Sequence, residues 1–540
     1  MGKSKSPIKS RNLWRVVTLG ACLAAVGGCR GAKRELGNVV FVIESNPANL
    51  DPRFATDGVT QRIDRLIFNG LVVRDAQMNL HGDLAASWET PDPLTYVFRL
   101  KNGVKFHDGR ALTSKDVKAT IEYMMNPENK SPKRGSFNMI ASIETPDAET
   151  VIFHLKEPYA SFLWNMEKSA VGIVPAGSGS DFVLKPIGTG PFQFVSQAQD
   201  DAVLLERNEK YFGDGWAGAT PATDIAEQRT QKRGGASGRV DRVTFRVVPD
   251  AIVRALELRK GSADVEMSSL SPDMIPVLAK REELEVAEEP GTNFAYLGMN
   301  LEDPTLSKKQ VRQALAYATD RESLVKYLLR DQARLASGIL PPNHWAYEAD
   351  VKKYGYDPAE AERLLDEAGC RRGADGVRTH LTLKISTQEQ ARLLGAALQD
   401  QWKKVGVALE VRPLEQATLF SDLEKGNFQV SYSIWVGANN DPDVFDLVFS
   451  SRKMPPAGKN RGHYRNAQVD KLIVGIRAEM DREKRKTLCS EVQKIVAEEL
   501  PYIPLWYVDV VSVHQRELGK VELTPTGDYD FLGRGSRGMN

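Results

Sequence analysis

The chain has 540 residues, with 72 Lys and Arg against 71 Asp and Glu, for a formal net charge of +1. That balance excludes whole-molecule attraction to nucleic acid or to an anionic membrane surface, and points to a small molecule or another protein as partner. At about 100 to 200 residues per domain, the length calls for several lobes rather than one.

The first segment reads as a leader. MGKSKSPIKSRNLWR carries Lys3, Lys5, Lys9, Arg11 and Arg15 with no acid, and the short apolar run VVTLGACLAAVGG follows. This is the pattern of a secretory signal, and the run is too short to span a bilayer. It ends in Val26-Gly27-Gly28-Cys29, which resembles a bacterial lipobox. The resemblance implies that residues 1–28 are removed and that Cys29 is acylated as a membrane anchor, each buried CH₂ adding about 0.8 kcal/mol. A plainly cleaved signal with an incidental cysteine is the alternative. No later window approaches the ~20 apolar residues of a membrane-spanning helix. The remainder, starting with a tether at 29–37, is expected to be soluble and extracytoplasmic.

Val39 to Ile43 reads as a buried strand, ended by Pro47 and Asp51-Pro52. TSKDVKATIEYMM predicts a helix capped by Thr113 or Ser114, with Val117, Ile121 and Met124 at helical spacing. VDRVTFRVVPD alternates as a strand, and AIVRALELRKG follows as a helix stopped by Gly261. The same texture recurs in LTLKIS, QARLLGAALQDQWKKVG and VALEVRP, so mixed α/β lobes are expected. Residues 213–239, rich in Gly, Ala, Thr and Arg, break the pattern and predict a flexible surface insertion.

Tests for chemistry return little. The Gly188-Thr189-Gly190 run precedes Pro191, which lacks an amide donor and blocks the helix that a phosphate loop opens, so a turn is expected. Ser323 and Lys326 fit an S-x-x-K pattern, without the companion motifs of acylating enzymes. The seven histidines are scattered without ligand spacing, and Cys370 and Cys489 stand far apart, so no metal centre is expected. Two free thiols are the simpler reading of that pair, a disulfide the other. Nothing demands catalysis or a cofactor.

Several stretches then read together: NLDPRFATDGVTQRIDRLIFNGLV, GDLAASWETPDPLTYVFRLKNGVKFHDGRALTSKDV, KPIGTGPFQFV, YLGMNLEDPTLSKKQVRQALAYATDRESLV and YDPAEAERLLDEAG. They resemble extracytoplasmic solute-binding proteins of family 5, the peptide-binding receptors of bacterial ABC importers. The resemblance implies an α/β, two-lobed fold, periplasmic-binding-protein-like (type II, cluster C), with an extra domain inserted in the first lobe. Carried onto this chain, lobe one takes 38–67, 190–293 and 508–540, the extra domain 68–189 and lobe two 294–507. It also implies a monomer that serves ABC permease and ATPase subunits and clasps a peptide or small-molecule solute between its lobes.

In that family the ligand lies extended and bonds through its backbone. The matching positions are Asp57, Gly58 and Val59 on one side, and Trp435, Val436, Gly437, Ala438 and Asn439 on the other. The family places an aspartate for the peptide's α-ammonium group where this chain has Ala438. The following Asp441-Pro442 reads as a turn, and Asp443 as the cap of a helix starting near Val444. A ligand without a free amine at that spot, a lipid-anchored sensor or adhesion protein without a transporter, and an enzyme using Ser323 stay open beside the peptide receptor.

Overall fold

The computed structural model describes residues 37–75, 77–213, 240–437 and 440–534. Cys29 and the leader, almost all of the 213–239 stretch, and Ala438 with Asn439 lie outside the described residues.

The predicted elements fold locally as their patterns require. The apolar run becomes the strand Asn38–Ile43, parallel to Arg242–Val247 with Phe41 opposite Phe245. The helix Ser114–Met125 opens with the Asp116 carboxylate accepting from the Thr113 amide and hydroxyl, both at 2.8 Å. The helix Ala251–Lys260 stops at Gly261, whose φ of +73° suits a residue without a side chain. Thr379–Ser386, the helix Glu389–Lys404 and Val407–Leu414 form the expected strand, helix, strand unit. Gly188 and Gly190 make a packing turn: a Cβ on either would lie within 2.4 Å of a carbonyl at the end of the helix Gly58–Ile67. Cys370 and Cys489 are both free thiols.

One sheet of eleven strands organises the molecule. Its spine is an antiparallel pair of unusual length, Leu284–Met299 and Tyr502–Gln515. On one half of this pair lie Val265–Met267, Asn38–Ile43, Arg242–Val247, Ala202–Arg207 and Phe192–Ala198; on the other lie Val430–Trp435, Thr379–Ser386 and Val407–Leu414, and the short strand Ala333–Leu335 pairs with Tyr502–Gln515 off this path. The register shifts midway, between Glu289 and Asn293. Gly291 sits inside this bulge, where a Cβ would come 1.9 Å from the Val508 carbonyl. Each half has its own core. Phe41, Ile63, Phe245 and Tyr529 pack in the first, and Leu297, Leu383, Leu398 and Trp402 in the second, with another layer around Phe445, Phe449 and Val492. A separate four-stranded sheet, Ala85–Asp92, Thr95–Leu100, Thr150–Leu155 and Ile140–Glu144, packs Phe98, Phe153 and Phe162 into a third core.

Buried charge ties this small sheet domain to the first lobe. Glu167 accepts from Arg65 and Arg74 at 2.9 Å each, Arg74 reaches Asp528 at 2.8 Å, and Arg65 reaches Asp530 at 2.7 Å. All five side chains are buried. Removing one partner of such a cluster strands charge in a dry interior, so pulling the two bodies apart at this seam is costly.

Candidate functional site

The strands Leu284–Met299 and Val430–Trp435 pair with Phe294 opposite Trp435, Tyr296 opposite Ser433 and Gly298 opposite Ser431. Period-two alternation puts these six side chains on one face of the second lobe. They line a groove of about 580 Å³ of atom-free space, mouth included. Its walls are aromatic: Phe294 and Tyr296 stack at 5.4 Å, and Phe449 stacks on Tyr502 at 5.6 Å. Gly298 leaves the floor low. The Trp435 indole N–H is buried without a hydrogen-bond partner among the described residues. Lys459 and Arg461 both reach the single carboxylate of Glu424, at 2.9 and 2.8 Å, so among the described residues the pair carries one positive charge more than its ion-pair partner at the rim. Burial raises the pKa of the Tyr296 hydroxyl, and the Arg461 charge pulls it part of the way back.

The Val430–Trp435 strand also keeps an open edge. Thr379–Ser386 pairs with it only at Val430 and Ser431. From Tyr432 onward that side has no backbone partner among the described residues. Ile434 and Val436 are exposed there, and Gly437 turns the chain with a φ of +70°. An open edge beside a side-chain groove is geometry an extended peptide can use to add itself as a strand.

The other sequence-read positions sit differently. Asp57 caps the helix Gly58–Ile67, its carboxylate accepting from the Thr60 amide at 2.8 Å and hydroxyl at 2.6 Å. Gly58 opens that helix, and the Val59 side chain joins the first-lobe core. These three residues therefore present a helix N-terminus rather than a strand edge, and none of them lines the groove. Ala438 and Asn439 lie outside the described residues.

The aspartates after the loop correct the capping assignment. Asp441 does accept from the Asp443 amide at 2.9 Å, as a turn residue should. Its carboxylate is nevertheless buried and held by both Arg485 terminal nitrogens, at 2.7 and 3.0 Å, and by the Ser161 hydroxyl at 2.5 Å. Burial alone would raise the Asp441 pKa, but the Arg485 charge outweighs it and holds the carboxyl below its usual range. Asp443 precedes the helix Val444–Phe449 without making a side-chain cap. It accepts instead from Tyr159 at 2.6 Å and Arg477 at 2.8 Å. His344 pins the loop's end. Its Nδ1 accepts from the Ala346 amide at 3.0 Å, so Nε2 carries the proton and donates to the Asn440 carbonyl at 3.0 Å. Burial lowers the pKa of this ring to about 4 and keeps it neutral.

Ser323 donates to the Asp320 carboxylate at 2.7 Å in a helix-start turn, which occupies the hydroxyl an acylating enzyme would use. Among the described residues no group of three His, Cys, Asp or Glu could hold a metal ion, and no helix is long and apolar enough to cross a membrane. Sequence reasoning did not single out Phe294, Tyr296 and Gly298 as lining residues, although period two in FAYLGM is the signal that could have put them on one face. Nothing local marked Arg461, Ser161 or Arg485.

Two lobes on a shared pair of long strands, with an aromatic groove beside an open strand edge, define the class of two-lobed solute-binding proteins. Within it, the chain belongs to the bacterial extracellular solute-binding proteins of family 5, whose middle-region model matches residues 79–454. The glutathione-binding protein GsiB of Salmonella typhimurium is 28% identical over 505 residues, covering 92% of this chain and 93% of that protein. NikZ from Campylobacter jejuni, solved in complex with Ni(L-His), superposes with a TM-score of 0.77 at 27% identity, covering 93% of this chain and 100% of NikZ. The oligopeptide-binding protein AppA from Bacillus subtilis, solved with a nonapeptide, gives 0.75 at 25% identity, covering 93% and 98%.

Proposed function

We propose that the chain is the extracytoplasmic receptor of an ABC importer, a binding protein rather than an enzyme, which delivers a peptide or peptide-like solute to a membrane permease. The lobe and extra-domain boundaries implied by the sequence, the monomeric state and the anchor at Cys29 belong to the same reading. The observation that carries it is the open edge from Tyr432 to Gly437 beside the aromatic groove. The edge serves backbone recognition, which tolerates varied sequences, and the groove takes one side chain. GsiB and AppA, named for glutathione and oligopeptides, support that class of ligand.

The ligand lacks a free amine at the position of Ala438. An ammonium group seated there needs a carboxylate, because a hydrogen bond to a charged group contributes about 1.5 to 3 kcal/mol and a stranded buried charge costs several. The carboxylates that the sequence offers as substitutes are committed: Asp57 to its helix, Asp441 to Arg485 and Asp443 to Arg477. The unpaired Trp435 N–H and the extra cation at the rim favour an acceptor or a carboxylate on the ligand. The same features suit a small metal chelate that presents carboxylate oxygens as the second reading, and NikZ was solved with such a complex, Ni(L-His).

Calorimetry with a matched pair of free and N-acetylated peptides tests the proposal. The unmodified protein should bind the acetylated peptide at least as well as the free one, and Ala438→Asp should reverse the order by about tenfold for each 1.4 kcal/mol recovered. A strong preference of the unmodified protein for the free peptide would overturn it.

A further inference from the structure

We propose that Tyr159, Ala160 and Ser161 of the small sheet domain form a latch on the segment that follows the ligand loop, and that this latch is populated in the resting protein and slows ligand release. The inference rests on the two-lobed binding reading above.

The strap and its receiver belong to different cores. Tyr159 and Phe162 pack with Phe98 and Phe153 in the small domain, whereas Phe445 and Cys489, which flank the receiver, pack in the second lobe. The strap makes four hydrogen bonds across the boundary, in three of which it is the donor. Ser161 donates to Asp441 at 2.5 Å, Tyr159 donates to Asp443 at 2.6 Å, and the Ala160 amide donates to the Arg477 carbonyl at 2.9 Å. The Arg477 guanidinium also stacks 5.0 Å over the Tyr159 ring. Ser161, Tyr159 and Asp441 are all buried at this contact.

The receiver's own contacts lie within the second lobe. Arg485 grips Asp441 with two nitrogens and also donates to the Ser161 oxygen at 2.7 Å. Trp345 covers the Arg485 guanidinium at 5.5 Å, and Arg477 holds Asp443. Because the small domain is tied to the first lobe through Arg65, Arg74 and Glu167, the strap gives the first lobe a second connection to the second lobe, separate from the long strands. Asp441 stands four residues after Gly437, so the latch adjoins the ligand loop in the chain. Tyr159 and Ser161 are therefore positioning residues, acting through Asp441 and Asp443.

Hydrogen exchange of the full-length protein, with no solute added, reads the latch directly. Peptides covering 159–162 and 441–446 should be protected in the wild type. The double variant Tyr159→Phe, Ser161→Ala keeps the ring in its core and removes both hydroxyl donors, so uptake in both peptides should rise at least about tenfold, with exchange around Phe98 and Phe153 unchanged. Ser161→Thr, which keeps the hydroxyl, should restore protection when paired with wild-type Tyr159. Equal uptake in wild type and double variant, or an unprotected wild-type strap, would overturn the latch. A second arm uses an N-acetylated tryptic peptide mixture as probe. Dissociation of captured peptides should be at least tenfold faster from the double variant, at an unchanged melting temperature, and an unchanged dissociation rate would overturn the latch. If neither protein captures any peptide, the functional reading fails and the exchange arm alone decides the latch.

Discussion

Filling the floor of the groove separates binding from stability. A Cβ on Gly298 meets the Ser431 hydroxyl oxygen at 3.0 Å and the Tyr296 ring at 3.5 Å. The hydroxyl can rotate aside, so Gly298→Val places its three carbons in the space meant for the ligand. At about 0.8 kcal/mol per displaced CH₂, three groups cost the complex ~2.4 kcal/mol, or about 50-fold in affinity. Gly298→Ala displaces one group and should cost about fourfold by the same arithmetic. Glycine weakens a strand interior and a β-branched residue suits it, so the melting temperature should hold or rise. Titration calorimetry with the tightest acetylated peptide, run beside differential scanning calorimetry, measures both quantities. A valine variant that binds like the wild type would place the ligand elsewhere. One that melts early would mean that Ser431 and Tyr296 do not yield.

Other perturbations test the frame. Burial would raise the pKa of Glu167, but Arg74 and Arg65 hold it below its usual value, so its contribution is present above the unfolded-state pKa and is lost as acid titrates it. Glu167→Gln should cost about 3 to 5 kcal/mol at neutral pH by denaturant unfolding, and should remove part of the wild type's decline in acid. A neutral-pH stability equal to wild type would mean the cluster carries no net stabilisation. Glu266 has the opposite sign: burial raises its pKa to about 7, so the folded state keeps a proton the unfolded chain releases, and stability falls as pH rises from about 4.5 to 7. Glu266→Gln should flatten that slope, and an unchanged pH profile would place the loss on another group. Cys29→Ser should release the protein from the membrane fraction; a variant as firmly bound as the wild type would dispose of the lipid anchor.

Local patterns carried the fold a long way. An apolar run, a capped helical repeat and a glycine stop placed Asn38–Ile43, Ser114–Met125 and Ala251–Lys260 because neighbours in sequence decide those structures. The loop at Trp435 was legible through its glycine and its resemblance to a family pattern. Asp57 was not read as a helix cap, although Thr60 three residues on gave the signal. The roles of Asp441 and Asp443 had no local trace. Ser161 lies 280 residues from Asp441, and Tyr159 lies 284 from Asp443, so only the folded chain makes those carboxylates unavailable to a ligand. The Arg65 cluster escaped for the same reason, since its partners come from Glu167 and the C-terminal Asp530.

Native mass spectrometry of the freshly purified, full-length protein tests the central claim most directly, because it weighs whatever the cleft retains from the cell. The expected spectrum shows one added mass per chain. On denaturation this mass should be released as a peptide or peptide-like solute that lacks a free α-amine or carries an acidic group. A retained ligand with an unblocked amino terminus and no acceptor for Trp435 or Arg461, or a protein that retains nothing and takes up no peptide when supplied, would contradict the account.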